Sequence, residues 1–225
     1  MAEANAQLGE LMAARAAAEG LVARGGGAGQ AGNKGSRMRD ASDARFEVRR
    51  ALSAWGKATA EAKAADVAGY VAELIEGGSK LLFFAHHHVM LDAMQNALRA
   101  ARVPHVRIDG KTPSLERAIS VRRFQEEEEL RVAVLSIQAC GQGLTLTAAA
   151  DVVFGELHWV PAAMLQAEDR AHRIGQVNPV NVRYLCAVGT LDDIVWPAVS
   201  RKLENLGRAL DGAATKLGAE DTDHV

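Results

Sequence analysis

Apolar positions recur along this chain in two rhythms that take turns. Val67, Val71, Leu74 and Ile75 stand at i, i+4, i+7 and i+8, which predicts a helix over 64–76. Gly77-Gly78 predicts its end. The unbroken run Lys80 to Ala85 predicts a strand covered on both faces. Helical spacing returns over 89–101 with Leu91, Met94 and Leu98, and a second strand is expected over 103–108. Thr112-Pro113 resembles an N-cap with proline at the first helical position, opening a helix to about residue 128. Strands follow over 131–135 and 151–154, then a helix over 161–174 ended by Gly175. A fifth strand is expected over 180–187, and Thr190 with Asp193 predicts a capping box for a last helix to about Leu210. Strands and helices alternate, with connections too long for hairpins. That order predicts an α/β, doubly wound, mainly parallel sheet, with ligands beyond the carboxyl ends of the strands.

The first third reads differently. An Ala-rich stretch over 1–24 predicts an N-terminal helix, and 25–36, half glycine, predicts a linker. Arg37, Arg39, Arg45, Arg49 and Arg50 follow in a basic arm over 37–57. The arm is either a solvated face or a phosphate-facing one. The expected domain runs over 58–210, with a flexible tail over 211–225.

Composition narrows the function classes. Hydrophobic residues make up 48% and charged residues 24%, which suits a folded domain. The net charge of -2 excludes a chain that is basic throughout, so any nucleic-acid surface must be local. No apolar run is long enough for a membrane span, and no signal peptide is visible. Two cysteines cannot build a disulfide framework or a four-cysteine zinc site. His86-His87-His88 does not predict a metal site, because successive strand residues point to opposite faces. Glu126 to Glu129 reads as a solvated helix end.

Candidate chemistry concentrates in Gln166-Ala167-Glu168-Asp169-Arg170-Ala171-His172-Arg173-Ile174-Gly175-Gln176. On a helix, Gln166, Asp169, Arg170 and Arg173 would share one face, with Met164, Ala167, Ala171 and Ile174 opposite. Two arginines one turn apart suit a phosphate, because planar guanidinium groups match its oxygens. A surface helix with local salt bridges, such as Glu168 with His172, is the alternative.

This string resembles motif VI of the Swi/Snf-type helicase-like ATPases. Ser136 to Ala149 resembles their motif V, Lys80 to Asp92 their motif IV, and Arg107 to Thr112 the Asp-Gly-x-Thr element. Most of that family has Asp where Glu156 stands. The Phe154-Gly155-Glu156-Leu157-His158-Trp159 stretch, with the double histidine, is similar to the annealing-helicase branch. The resemblance covers about residues 58–206. It implies a RecA-like second helicase lobe that closes with a first lobe on ATP and Mg.

By that resemblance Arg170 and Arg173 are arginine fingers, with Gln166 near the nucleotide. Gly141, Gly143, Glu156 and Asp169 couple nucleotide state to DNA. His86, Asp109, Gly110, Thr112 and Ser136 line the path of one DNA strand. The implied partners are forked or duplex DNA and a first RecA-like lobe, in cis or in trans, in the nucleus. No phosphate-loop motif occurs: Gly110-Lys111-Thr112 imitates its end, but His105 stands where the first Gly is needed. Little ATPase activity is therefore expected from this polypeptide alone. Two other roles fit the same residues: a non-catalytic DNA- or partner-binding module, and the lobe of a chromatin remodeller.

Overall fold

A computed structural model describes residues 34–141, 144–158, 160–173, 175–176 and 178–211. The expected N-terminal helix, the tail beyond Asp211, and most of the Gly-rich linker lie outside the described residues. The chain divides between Thr59 and Ala60 into two compact units. In the first, helix α1 (Lys34–Glu76) begins, three residues inside the expected linker. The basic arm is therefore helical rather than extended.

The second unit holds a five-stranded sheet in the order β2-β3-β1-β4-β5, with every pairing parallel. Its elements are β1 (Leu81–Ala85), α2 (His88–Ala100), β2 (His105–Ile108), α3 (Ser114–Glu126) and β3 (Val132–Ser136). A 3₁₀ turn (Ile137–Gly141), β4 (Asp151–Phe154), α4 (Pro161–Glu168), β5 (Asn181–Tyr184) and α5 (Asp192–Asp211) complete it. The predicted α/β architecture is the observed one.

Burial explains the arrangement. Every residue of β1, β3 and β4 is buried, as expected for strands covered on both faces. One face presents Leu81, Phe83, Val132, Val134 and Val153 to Val67 and Val71 of α1 and to Met90, Leu91, Met94 and Leu98 of α2. The opposite face carries a row of rings. Phe84 stacks on Phe154 (5.2 Å), Phe154 on Tyr184 (5.0 Å), and Tyr184 meets Trp196 of α5 (5.4 Å). Trp196 is half-buried at the end of this row.

Several element ends depart from expectation, each for a visible reason. Helix α1 does stop at Gly77-Gly78: Gly78 has φ +90, and Ser79 N–H donates back to the Leu74 carbonyl at 3.2 Å. Thr112 does not cap α3. Its hydroxyl is taken by the Asp109 N–H (3.0 Å), and Pro113 precedes the helix without a side-chain cap. Thr190 accepts from the Asp192 N–H at 3.1 Å, while Asp193 reaches Gly189 N–H (2.7 Å) rather than Thr190. Both bonds of the expected capping box are thus shifted by one residue.

The largest correction concerns the expected helix over 161–174. Helix α4 ends at Glu168, and Asp169 to Arg173 run on through tight turns closed by Arg170 N–H to Ala167 O (3.1 Å) and Ala171 N–H to Glu168 O (2.9 Å). Gly175, at φ +105, belongs to a later turn and does not end the helix. Strand β5 is also shorter than 180–187.

A buried ion pair joins α1 to the start of α5 within the second unit. Lys63 Nζ donates to Asp192 Oδ2 at 2.6 Å and to the Leu185 carbonyl at 2.7 Å. Both charged side chains are sealed from solvent, at 5% and 7% exposure.

Candidate functional site

Because all five strands run parallel, their carboxyl ends open on one edge, where a doubly wound sheet places its ligands. The motifs singled out in the sequence leave the strands on that edge. Each exit is built differently.

After β2, Asp109 folds its own loop. Its Oδ1 accepts Lys111 N–H at 2.9 Å, Thr112 N–H bonds to the Asp109 carbonyl at 3.2 Å, and Arg107 Nε donates to Oδ2 at 3.1 Å. Burial would raise this carboxyl. The Lys111 N–H and the Arg107 guanidinium outweigh it, with help from His88, and hold Asp109 below the usual carboxylate range. Gly110 is exposed, and a Cβ added there would meet nothing within 4 Å, so backbone faces open space. Asp109 and Thr112 are thus occupied in shaping the loop, and Gly110 is its accessible part.

After β3, Ser136 is buried at the strand end beside Ala85, and the chain turns into the 3₁₀ segment. Arg117 of α3, itself 9% exposed, ties this exit to the previous one. It donates to Ala139 O (3.1 Å), Asp109 O (3.3 Å) and Thr112 O (3.4 Å). The sequence reading missed Arg117. A basic residue on a largely polar helix carries no local sign that its guanidinium turns inward. Gly141 closes the 3₁₀ turn, and Gly143 lies outside the described residues.

After β1 and β4, His86, His87 and Glu156 meet. Glu156 Oε2 accepts both His86 N–H and His87 N–H at 2.9 Å, and Oε1 lies 2.6 Å from His87 Nδ1. The His86 ring sits edge-on to His87 (4.7 Å) and His158 (5.2 Å). Burial, then the neighbouring His87 and His158, push the His86 imidazole below its ordinary value against the pull of Glu156. The triple histidine does not converge: His86 follows the strand, His87 precedes α2 and His88 opens it. Among the described residues, no group of three or more His, Cys, Asp or Glu is placed to hold a metal ion.

The turns after α4 interlock with the segment after the 3₁₀ turn. Leu146 N–H donates to Arg170 O at 2.9 Å, Arg173 Nη1 to Thr145 Oγ1 at 2.6 Å, and Gln176 Nε2 to the Thr147 and Ala149 carbonyls at 3.1 and 2.8 Å. Thr145 and Gln176 lay inside the quoted strings without an assigned role. Their partners are distant in sequence, so no spacing rule could expose them.

The four residues expected on one helical face do not share it. Gln166, Asp169 and Arg173 are exposed, whereas Arg170 is 8% exposed and its Nε has no hydrogen-bond partner among the described residues. The early end of α4 is the cause. Met164, Ala167 and Ala171 pack inward as expected. Glu168 does not pair with the His172 side chain but accepts the Tyr184 hydroxyl. Burial pushes both of these groups above their ordinary values. Glu126 and Glu127 form surface pairs with Arg122 and Arg123, so the acidic run is a solvated helix end.

Residues 64–175 match the family described as the helicase conserved C-terminal domain. The chain carries a helicase C-terminal domain. It is 51% identical over 168 residues to the DNA annealing helicase and endonuclease ZRANB3 of Bos taurus, covering 74% of this chain and 16% of that protein. Over 182 residues it is 45% identical to the SWI/SNF-related matrix-associated actin-dependent regulator of chromatin subfamily A-like protein 1 of Xenopus laevis, covering 80% of this chain and 19% of that protein. The chain thus spans less than a fifth of the length of these relatives. Among solved structures it is similar to the C-terminal part of the Fun30 ATPase domain, with TM-score 0.54, 27% identity, and coverage of 56% of this chain and 40% of that one. The fold is that of a RecA-like second lobe, and the relatives fall in the annealing-helicase branch that the Glu156 and double-histidine features indicated. Within this helicase lobe, the interlocked turns are the segments whose sequences resemble motifs V and VI.

The polar groups of motif VI suit a phosphate. Arg173 is exposed, and Arg170 keeps a buried donor without a partner, a costly state that an anionic oxygen would relieve.

Proposed function

We propose that this lobe is the C-terminal motor half of an ATP-dependent DNA translocase that rewinds separated strands and remodels replication forks. The annealing activity named in one relative supports the reading, and the chromatin regulation named in the other also suits a nuclear location. One observation carries the mechanism: motif VI is bonded to motif V through Arg173–Thr145 and Arg170–Leu146. A guanidinium drawn toward a phosphoryl group would therefore pull on the loop that holds DNA.

In this reading Arg173, Arg170 and Gln166 face the nucleotide when a first RecA-like lobe closes, in cis or in trans. Arg173 meets the phosphoryl oxygens from the surface, and Arg170 follows by turning its buried guanidinium outward. Bound ATP with Mg, held mainly by the first lobe, supplies the phosphoanhydride whose hydrolysis drives the cycle. Gly141, Gly143, Glu156 and Asp169 transmit closure. Gly110, shaped by Asp109 and Thr112, offers its N–H side to one DNA strand together with His86 and Ser136.

The test is reconstitution with a matching first lobe and forked DNA. Arg173→Ala should lower ATP turnover by about a thousandfold or more. Turnover at the normal rate would remove the finger assignment.

The burial of Arg170 favours a second reading, a DNA-binding module without a motor role. Affinity of the chain for forked DNA that falls steeply with salt, with no turnover after reconstitution, would select it.

A further inference from the structure

We propose that Glu156 is a positioning residue: its carboxylate prolongs the β1–β4 ladder past the strand ends, fixes the turn at His86 and His87, and thereby sets how the His86 ring is presented. The DNA-facing part of this inference rests on the role given to His86 above.

The last backbone bond between the two strands runs from Gly155 N–H to Phe84 O, at 2.9 Å. Beyond it the strands separate and no carbonyl of β4 continues the series. The next N–H groups on the β1 side belong to His86 and His87, and both end on Glu156 Oε2 at 2.9 Å. The second oxygen takes the His87 ring, 2.6 Å from Nδ1. A side chain thus does the work of the missing backbone acceptor, and two N–H donors and an imidazole nitrogen converge on one carboxylate that is 5% exposed.

The entry of this side chain is sterically fixed. A Cβ on Gly155 would lie 2.4 and 2.7 Å from the Phe83 ring, so that ring covers the backbone at the residue before Glu156. With the backbone held, chain length matters. Asp is shorter by one carbon–carbon bond, about 1.5 Å, which would leave its oxygens beyond hydrogen-bond range of the two N–H groups.

The His86 ring depends on this clamp. Its Nδ1 is buried and lacks a hydrogen-bond partner among the described residues. The ring is located by edge contacts with His87 and His158 instead. Placing His87 therefore places His86. The two branch-marking features, 69 and 70 residues apart in sequence, are one bonded unit.

Nitrogen-15 NMR of the full chain tests the clamp without DNA. With the carboxylate as acceptor, the wild-type protein should carry a proton on His87 Nδ1. In Glu156→Gln the side-chain amide nitrogen can face that atom, so the proton should move to Nε2. In Glu156→Asp the His86 and His87 amides should exchange about tenfold faster or more, while core amides keep their protection. A bare Nδ1 in the wild type overturns the proposal even if both variants fail to fold, and so does Glu156→Asp with wild-type exchange. A fork-binding titration separates the two levels. No binding by the wild type removes the DNA-facing role and leaves the clamp to the NMR result. Binding by the wild type with a loss of about fivefold or more in Glu156→Asp supports presentation of His86 by Glu156; equal affinity at every salt concentration overturns it.

Discussion

Arg173 Nη1 donates to Thr145 Oγ1 at 2.6 Å, across 28 residues of sequence. The contact joins the segment that resembles motif VI to the one that resembles motif V through a single hydroxyl. It sits where solvent reaches, so its value to folding is small. Its value to a motor would lie in transmission, because the arginine cannot move toward a phosphate without releasing or dragging the threonine.

Thr145→Val keeps the shape and removes the acceptor. In a reconstituted enzyme, stimulation of ATP turnover by DNA should fall several-fold, with basal turnover closer to the original. The chain's melting temperature should change little, since an exposed bond of this kind contributes on the order of 1 kcal/mol or less. Comparing turnover with and without forked DNA checks this, and undiminished stimulation counts against transmission through Thr145.

Gly155→Ala should destabilise the lobe by about 1–3 kcal/mol, the usual range for overpacking. The added methyl would overlap the Phe83 ring and also approach Val67 at 3.4 Å. Urea unfolding measures the loss. Phe83→Leu in the same chain should recover part of it, because the clash is with the ring.

Lys63→Ala should cost about 3–5 kcal/mol by leaving Asp192 charged and buried. The double change Lys63→Met with Asp192→Leu should recover much of this, though not all. Asp192 Oδ2 also accepts the Ala187 N–H at 3.0 Å, and that donor would stay unmet. Denaturation of the single and double variants decides between an ion pair that stabilises and one that merely neutralises.

The depressed carboxyl of Asp109 gives a pH dependence with a definite sign. Its folded value lies below the unfolded one, so its contribution is present above about pH 4 and fades as pH falls through the folded value. Asp109→Asn should flatten that acid limb of the stability curve and lower stability at neutral pH. An unchanged acid limb in the variant would locate the proton uptake elsewhere.

The sheet was legible because Leu81 to Ala85 and Val132 to Leu135 are apolar without interruption, as strands buried on both sides are. The motif strings were legible as strings. Their geometry was less so, for a physical reason. From Asp169 to Arg173 the helical pattern persists in the sequence, but the backbone leaves the helix for tighter turns, and the Arg170 carbonyl is claimed by Leu146 from another segment. Periodicity cannot register a bond to a distant partner. The same limit hid Arg117, whose three acceptors lie on two separate loops, and misled the Thr112 cap, whose hydroxyl Asp109 takes first.

The Lys63–Asp192 bridge has a practical consequence for anyone who would isolate this lobe. The family match runs from 64 to 175, so a gene segment trimmed to those limits discards both members of the bridge, the edge strand and the indole that ends the ring stack. Homology marks where ancestry is detectable; a piece that keeps the bridge and the buried Leu203 begins before Lys63 and continues past that leucine.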